Sequence, residues 1–136
     1  MRLGKASWAL VVALLMNVLL AILLSPLGFE TRPPTALTLI GYISIGAVAV
    51  GVLLSLASIV VIFRGARLAS ILAIVGSAVL LFPNVTDKVG AFFALPAPPV
   101  ISALEYVFIA VLVVTLLLAR TVYSGSKRTD SSRRDA

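Results

Sequence analysis

Glu105 is the residue with the clearest capacity for chemistry, because it is the one acidic side chain inside an apolar run of this chain, "PPVISALEYVFIAV". A carboxylate in a membrane helix is a candidate ligand for a coupling ion or proton. Glu105 also lies only about two turns into its predicted helix, next to Tyr106, where interfacial placement explains it equally simply. We favour a packing or partner contact over a coupling role.

Three further polar residues belong with Glu105 as candidate site residues. Counted from the predicted outer ends of their helices, Tyr42, Ser77 and Glu105 all lie about 8 Å deep, which predicts one polar layer. Asn17 lies near the middle of the first apolar segment, where an unpaired amide is costly. It is interpreted as an interhelical hydrogen-bonding group, with a contact in a solute pathway as the alternative.

The chain contains no histidine and no cysteine. Disulfides, redox dithiols, Ser-His-Asp catalysis and the usual ligation of haem, iron–sulfur clusters and type-1 copper are therefore excluded within it. We expect no catalytic residue, no metal site and no cofactor, and we do not expect an enzyme.

The composition indicates which structure must position these residues. Hydrophobic residues make up 61% of the 136 residues and charged residues 12%, about half the charge of a typical soluble domain. The sequence predicts an all-α integral membrane protein, an antiparallel bundle of two helical hairpins within residues 1–123. Four apolar segments are long enough for transmembrane helices, at about 6–24, 37–63, 66–83 and 99–121.

Prolines and the N-terminal segment sharpen these boundaries. Pro26 and Pro83 are predicted to lie just past the ends of the first and third helices.

A cleaved signal peptide is the alternative for the first segment, but its apolar run is longer than usual and no Ala-x-Ala site follows. We therefore retain it as a span.

The positions of lysine and arginine predict how the helices are oriented across the membrane. Nine of them fall on the side of both termini and of the link between segments two and three, and only Arg32 and Lys88 fall on the other. Because basic residues favour the cytoplasmic side, both termini are predicted to be cytoplasmic. Arg64, Arg67 and Arg120 are the main topology-setting residues, and the net charge of +6 does not indicate a nucleic-acid partner. The polar, basic tail 124–136 is predicted to be disordered and cytoplasmic.

Small residues recur every four positions on two consecutive segments. Such spacing places them on one helix face, where small side chains allow close packing in lipid. We favour packing of the two faces on each other over a homo-oligomer interface. The residues are Ala47, Gly51 and Ser55, followed by Gly65, Ala69, Ala73 and Ser77.

The loop before the last segment is unusually apolar. It is predicted to expose Phe92, Phe93 and Leu95 and to lie in the headgroup region or against a partner.

These features predict a small non-catalytic membrane protein in a lipid bilayer. The favoured function is an accessory or structural subunit that packs against partners in a larger membrane complex. The alternative is a small homo-oligomeric transporter or channel that uses Glu105 in the outer leaflet.

Overall fold

The protein is helical throughout the part that the structure describes. A computed structural model describes residues 3–135. Within that range there is no strand, only an isolated bridge between Leu37 and Phe93 and a short 3-10 helix, Pro34–Ala36. The four long helices are α1 (Lys5–Glu30), α2 (Leu39–Val61), α3 (Ala66–Lys88) and α4 (Pro99–Arg134).

Each of these four helices is long and apolar enough to cross a bilayer. The all-α class and the four candidate spans are therefore as predicted from the sequence, and the fold is compatible with a multi-pass membrane protein.

Two helices run further than predicted, because Pro26 and Pro83 lie inside α1 and α3 instead of past their ends. A proline removes one backbone donor, but a membrane helix can continue through it. Polar side chains next to both prolines bond to the helix backbone. The Ser25 hydroxyl donates to the Ala21 carbonyl oxygen at 2.7 Å. The Asn84 amide donates to the Leu80 carbonyl oxygen at 2.8 Å. The extra turns bring polar residues that follow the prolines onto the bundle.

The C-terminal tail also differs from its prediction. The sequence predicts disorder over residues 124–136, whereas α4 continues as an exposed helix to Arg134. Lysine and arginine are good helix formers, and side-chain hydroxyls bond back to the helix, as from Ser126 to the Tyr123 carbonyl oxygen at 2.7 Å. Ala136 lies outside the described residues.

Close packing joins α2 to α3, the most extensive helix contact in the structure. A Cβ atom placed on Gly51 would lie 2.5 Å from Leu80 Cγ and 3.2 Å from the Gly76 carbonyl oxygen. The Ser58 hydroxyl extends this contact by donating to the Ala69 carbonyl oxygen at 2.7 Å. Among the small residues selected from the sequence, Ala47 and Gly65 are half-buried. The remainder are buried, namely Gly51, Ser55, Ala69, Ala73 and Ser77.

Aromatic contacts gather three parts of the chain at one end of the bundle. The Trp8 and Phe63 rings meet edge to face at 6.3 Å, and the Arg67 guanidinium lies 5.7 Å from the Tyr123 ring. This end therefore holds the start of α1, the link between α2 and α3, and the α4 segment around Tyr123. The predicted topology residues Arg64, Arg67 and Arg120 are at least partly exposed, and Arg2 lies outside the described residues.

The two glycines Gly51 and Gly46 of α2 provide a matched test of this packing. Gly51→Leu is expected to destabilise the bundle by about 1–3 kcal/mol, because the new side chain overlaps Leu80. Gly46→Leu is expected to have little effect, since a Cβ atom added there would have no neighbour within 4 Å. Denaturation by sodium dodecyl sulfate, followed by circular dichroism, measures both. Equal stability of the two variants would contradict the close approach of α2 to α3.

Candidate functional site

A buried arginine–aspartate pair lies at the end of the bundle away from the α2–α3 link. Arg32 lies two residues after the end of α1, and Asp87 is in the last turn of α3. The two guanidinium nitrogens Nη1 and Nη2 lie 2.5 and 3.0 Å from the two carboxylate oxygens of Asp87. Only 3% of the Arg32 side chain and 8% of the Asp87 side chain are exposed. This bidentate geometry is the strong form of a charge-assisted hydrogen bond.

A second ion pair joins α3 to α4. The Lys88 ammonium lies 2.9 Å from Glu105 Oε2, and it donates to the carbonyl oxygen and the hydroxyl of Ser102 at 2.9 and 2.5 Å. The Tyr106 ring covers it at 4.0 Å. Glu105 Oε2 is buried and has no aligned hydrogen-bond donor among the described residues. The contact with Lys88 is therefore an ion pair without a well-directed hydrogen bond.

The two pairs form one four-residue arrangement, the ion network, because Asp87 and Lys88 are adjacent in α3. Its members are Arg32, Asp87, Lys88 and Glu105, two cations and two anions. A buried charge is tolerated where it is paired. With two positive and two negative side chains, the network has no net charge. It joins the segment that follows α1 to α3 and α4.

Phenylalanine rings cover the network. The Arg32 guanidinium lies 3.9 Å from the centre of the Phe93 ring, which stacks on Phe92 at 4.9 Å. Phe29 of α1 meets both rings edge to face. The prediction that Phe92 and Phe93 are exposed is wrong, since their exposed fractions are 9% and 2%. Stacking on a buried guanidinium draws them inward, and Leu95 alone of the three remains exposed.

Phe92 and Phe93 belong to the loop between α3 and α4 (residues 89–98), which we call the phenylalanine loop. Backbone contacts with the loop before α2 hold it in place. The backbone nitrogen of Thr38 donates to the Phe92 carbonyl oxygen at 3.2 Å, and the Thr38 hydroxyl donates to the Ala91 carbonyl oxygen. The Ala94 nitrogen donates to the Ala36 carbonyl oxygen at 2.8 Å. Gly41 is required beneath this contact, because a side chain there would collide with the Phe92 carbonyl oxygen.

A cleft of about 300 Å³ lies beside the network, between α1 and α2, with α3 and α4 behind it. Its lining is mostly apolar, and it includes Arg32, Asp87, Asn84 and Glu105. Clefts of this size with a few polar groups are typical of small-ligand sites. No group of three or more metal-ligating side chains that could hold a metal ion occurs among residues 3–135.

The predicted polar layer forms only in part. Glu105 and Ser77 are buried, with exposed fractions of 6% and 0%, whereas 63% of Tyr42 is exposed. Residues two apart on a helix are separated by about 200°, so Tyr42 points away when Ser44 points inward. Ser44 pairs with the Thr86 hydroxyl at 3.0 Å. Tyr42 is therefore not part of the layer.

Asn17 lies apart from the ion network, in the middle of α1. Its amide nitrogen donates to the Thr115 hydroxyl of α4 at 2.8 Å, and this hydroxyl donates to the Val111 carbonyl oxygen at 2.7 Å. Asn17 thus makes the kind of interhelical hydrogen bond that its favoured interpretation from the sequence requires.

Sequence reasoning missed Arg32, Asp87 and Lys88 as site residues. Ending the first and third spans at 24 and 83 placed all three in loops, where charges are ordinarily solvated. One feature of the sequence could have indicated that Asp87 and Lys88 belong to the site. Asp87 and Lys88 follow Pro83 by little more than one helical turn, so they reach the bundle if the helix continues.

The Arg32–Asp87 pair is expected to contribute strongly to stability. Asp87→Asn keeps the shape but leaves the buried Arg32 charge unbalanced, which is expected to cost about 3 kcal/mol. Replacing both partners, Arg32→Met with Asp87→Leu, is expected to recover most of that loss. Asp130→Asn, the same change at an exposed site, is the control. Thermal unfolding in detergent compares the variants, and a stability of Asp87→Asn equal to that of the control would contradict the pairing.

Comparisons of the chain with known protein families, with curated proteins and with solved structures found no match.

Proposed function

We propose that this chain is a non-catalytic, multi-pass membrane protein that serves as an accessory or structural subunit of a larger membrane complex. The observation that carries the proposal is the ion network, in which Glu105, the most prominent ionisable residue of the apolar helices, is paired internally and covered. A carboxylate held in this way supports a role in holding helices together.

The contrast with a coupling carboxylate supports this assignment. A coupling group must lose and regain its ion or proton from water during each cycle. Glu105 is 6% exposed and lies 2.9 Å from Lys88, whose ammonium is itself held by Ser102 and Tyr106. Opening this arrangement would leave Lys88 uncompensated, which is costly for a buried charge.

The outward face of α2 is the surface that we propose for a partner. Only 22% of the most apolar stretch of α2 is buried within the bundle, against 44% for α1 and α3 and 28% for α4. Gly46 is exposed on this helix with open space around it. Small residues of this kind let a helix of another subunit approach closely in lipid.

A small homo-oligomeric transporter or channel is the second candidate. The cleft favours it, because Glu105 and Asp87 line an opening between α1 and α2. In this candidate, the outward face of α2 packs on a second copy of the chain.

We further propose that the four helices form an antiparallel bundle of two hairpins, α1 with α2 and α3 with α4, and that both termini are cytoplasmic. The shared location of Trp8, Phe63, Arg67 and Tyr123 at one end supports the first part. The distribution of lysine and arginine supports the second.

Single cysteines test the orientation, since the chain has none of its own. In intact cells, a membrane-impermeant maleimide is expected to label a Leu95→Cys variant, because Leu95 is exposed on the outer loop. An Arg64→Cys variant, exposed on the α2–α3 link, is expected to react only after permeabilisation. Labelling in the reverse order would overturn the proposed topology.

Gentle purification distinguishes the two functions. After extraction in a mild detergent, the proposed subunit is expected to co-purify with larger membrane proteins in a fixed ratio, and Gly46→Trp is expected to weaken this association. The second candidate instead predicts a defined homodimer or higher homo-oligomer. A stable monomer with no bound protein would contradict both. Gly4→Trp, where the chain also has open space around a glycine, is the control for the added ring.

A further inference from the structure

We propose that one end of the bundle binds the headgroup of an anionic phospholipid, whose phosphate contacts Arg67 and Lys127. This is the end that holds the α2–α3 link, and both residues lie outside the ion network. The inference goes beyond the proposed function, because lipid binding requires neither a partner subunit nor transport.

Two cationic side chains of different helices converge on the Tyr123 ring. The Arg67 guanidinium carbon lies 5.7 Å from the ring centre, and the Lys127 ammonium nitrogen lies 5.3 Å from it. Arg67 is in the first turn of α3, whereas Lys127 lies one turn beyond Tyr123 in α4. Charges of the same sign repel each other at this range, so an anion that contacts both of them is favoured.

Neither of these cations has a carboxylate partner among residues 3–135. The two ion pairs found in that range both belong to the ion network. Arg67 and Lys127 are also exposed. An incoming phosphate therefore reaches two uncompensated charges, and no ion pair within the protein has to break.

A cleft of about 270 Å³, the basic cleft, gives room for a headgroup between the start of α3 and the end of α4. Three cations and two carboxylates line it, so the net charge of the lining is positive. Serine and aspartate side chains accept hydrogen bonds from hydroxyl groups, which suits a headgroup with a glycerol next to its phosphate. The lining consists of Arg67, Lys127, Asp130, Ser131, Arg134 and Asp135.

The basic cleft lies at the expected level of the lipid headgroups. The α4 segment 99–123 rises about 37 Å at about 1.5 Å per residue, which is slightly more than the hydrocarbon core of about 30 Å. Tyr123 thus reaches the membrane–water interface, where tyrosine is enriched. Leu68, next to Arg67 in α3, is 54% exposed and offers an apolar contact for the acyl chains. A phospholipid therefore fits this end of the bundle better than a free anion.

The other basic residues of this end attract anionic lipids in a general way. Basic residues next to a transmembrane helix raise the local concentration of anionic headgroups. This general attraction depends on the number of charges, whereas the proposed site depends on Arg67 and Lys127 in particular. Within residues 3–135, the other basic residues of this end are Lys5, Arg64, Arg120, Arg128, Arg133 and Arg134.

A tryptophan beside Arg67 measures which lipid is bound there. Trp8 is the only tryptophan of the chain, so Trp8→Phe combined with Leu68→Trp gives a single reporter next to the site. The full chain is reconstituted in phosphatidylcholine vesicles in which either phosphatidylglycerol or a matched fraction of phosphatidylcholine carries brominated acyl chains, which quench tryptophan on contact. Both leaflets have the same composition, so the orientation of the chain does not affect the result.

Phosphatidylglycerol is expected to associate with this reporter at least about fivefold more strongly than phosphatidylcholine, because two cations contact its phosphate. Equal quenching by the two brominated lipids would overturn the proposal.

Paired charge removals separate the site from the general attraction. Arg67→Gln with Lys127→Gln is expected to abolish the preference for phosphatidylglycerol. Arg128→Gln with Arg133→Gln removes the same charge from exposed residues that do not line the basic cleft, and it is expected to retain most of the preference. Equal losses in the two double variants would show a general attraction and rule out the site.

A second pair of variants keeps the test decisive if the charge removals prevent folding. Ser131→Phe obstructs the basic cleft and keeps every charge, and it is expected to reduce the preference. Ser132→Phe is the matched control, since Ser132 is exposed and does not line the basic cleft. Circular dichroism verifies that both are folded. An unchanged preference in folded Ser131→Phe would contradict the basic cleft as the headgroup site.

Inorganic phosphate distinguishes a lipid site from a site for the free anion. We expect the preference for phosphatidylglycerol to persist in phosphate buffer and in chloride buffer of the same ionic strength. If phosphate removes the preference and chloride does not, the site takes free phosphate and the assignment to a lipid is wrong.

Discussion

The structure depends on one constraint, that charges carried into the bundle must be paired there. Arg32, Asp87, Lys88 and Glu105 satisfy it through two ion pairs that meet at consecutive residues of α3. To reach this point, α3 must continue past Pro83 and the chain after α1 must turn back so that Arg32 meets Asp87. The phenylalanine loop then covers the guanidinium and excludes water. Helix lengths and the conformation of this loop thus follow from the same requirement.

Packing of small residues decides where the cleft lies. Gly51 and Gly76 bring α2 so close to α3 that their backbones are nearly in contact, and hydroxyl groups such as that of Ser58 reinforce the approach. On the other side, Asn17 joins α1 to α4. With α2 held on α3 and α1 held on α4, the seam between α1 and α2 is less tightly packed. The opening beside Glu105 is the result.

Much of this architecture could be predicted from the sequence, for physical reasons that act locally. Apolar length alone determines the four candidate spans, and the proline pair before α4 determines where that helix begins. The burial of Glu105, Ser77 and Asn17 follows from the cost of exposing polar groups to lipid. The ion network could not be predicted, because it depends on α1 and α3 continuing through Pro26 and Pro83, and a proline ordinarily ends a helix. The error on Phe92 and Phe93 has the same origin, since a buried guanidinium was needed to draw them inward.

The adjacency of Asp87 and Lys88 has a consequence for biogenesis. In the proposed orientation, Arg32 crosses the membrane with the first hairpin, before its partner has been inserted. Lys88 in turn crosses before Glu105, which belongs to the last helix. The Lys88 charge has its partner Glu105 only when α4 has joined the other helices. The outer end of the bundle can therefore close with all four charges paired only after the last helix is in place.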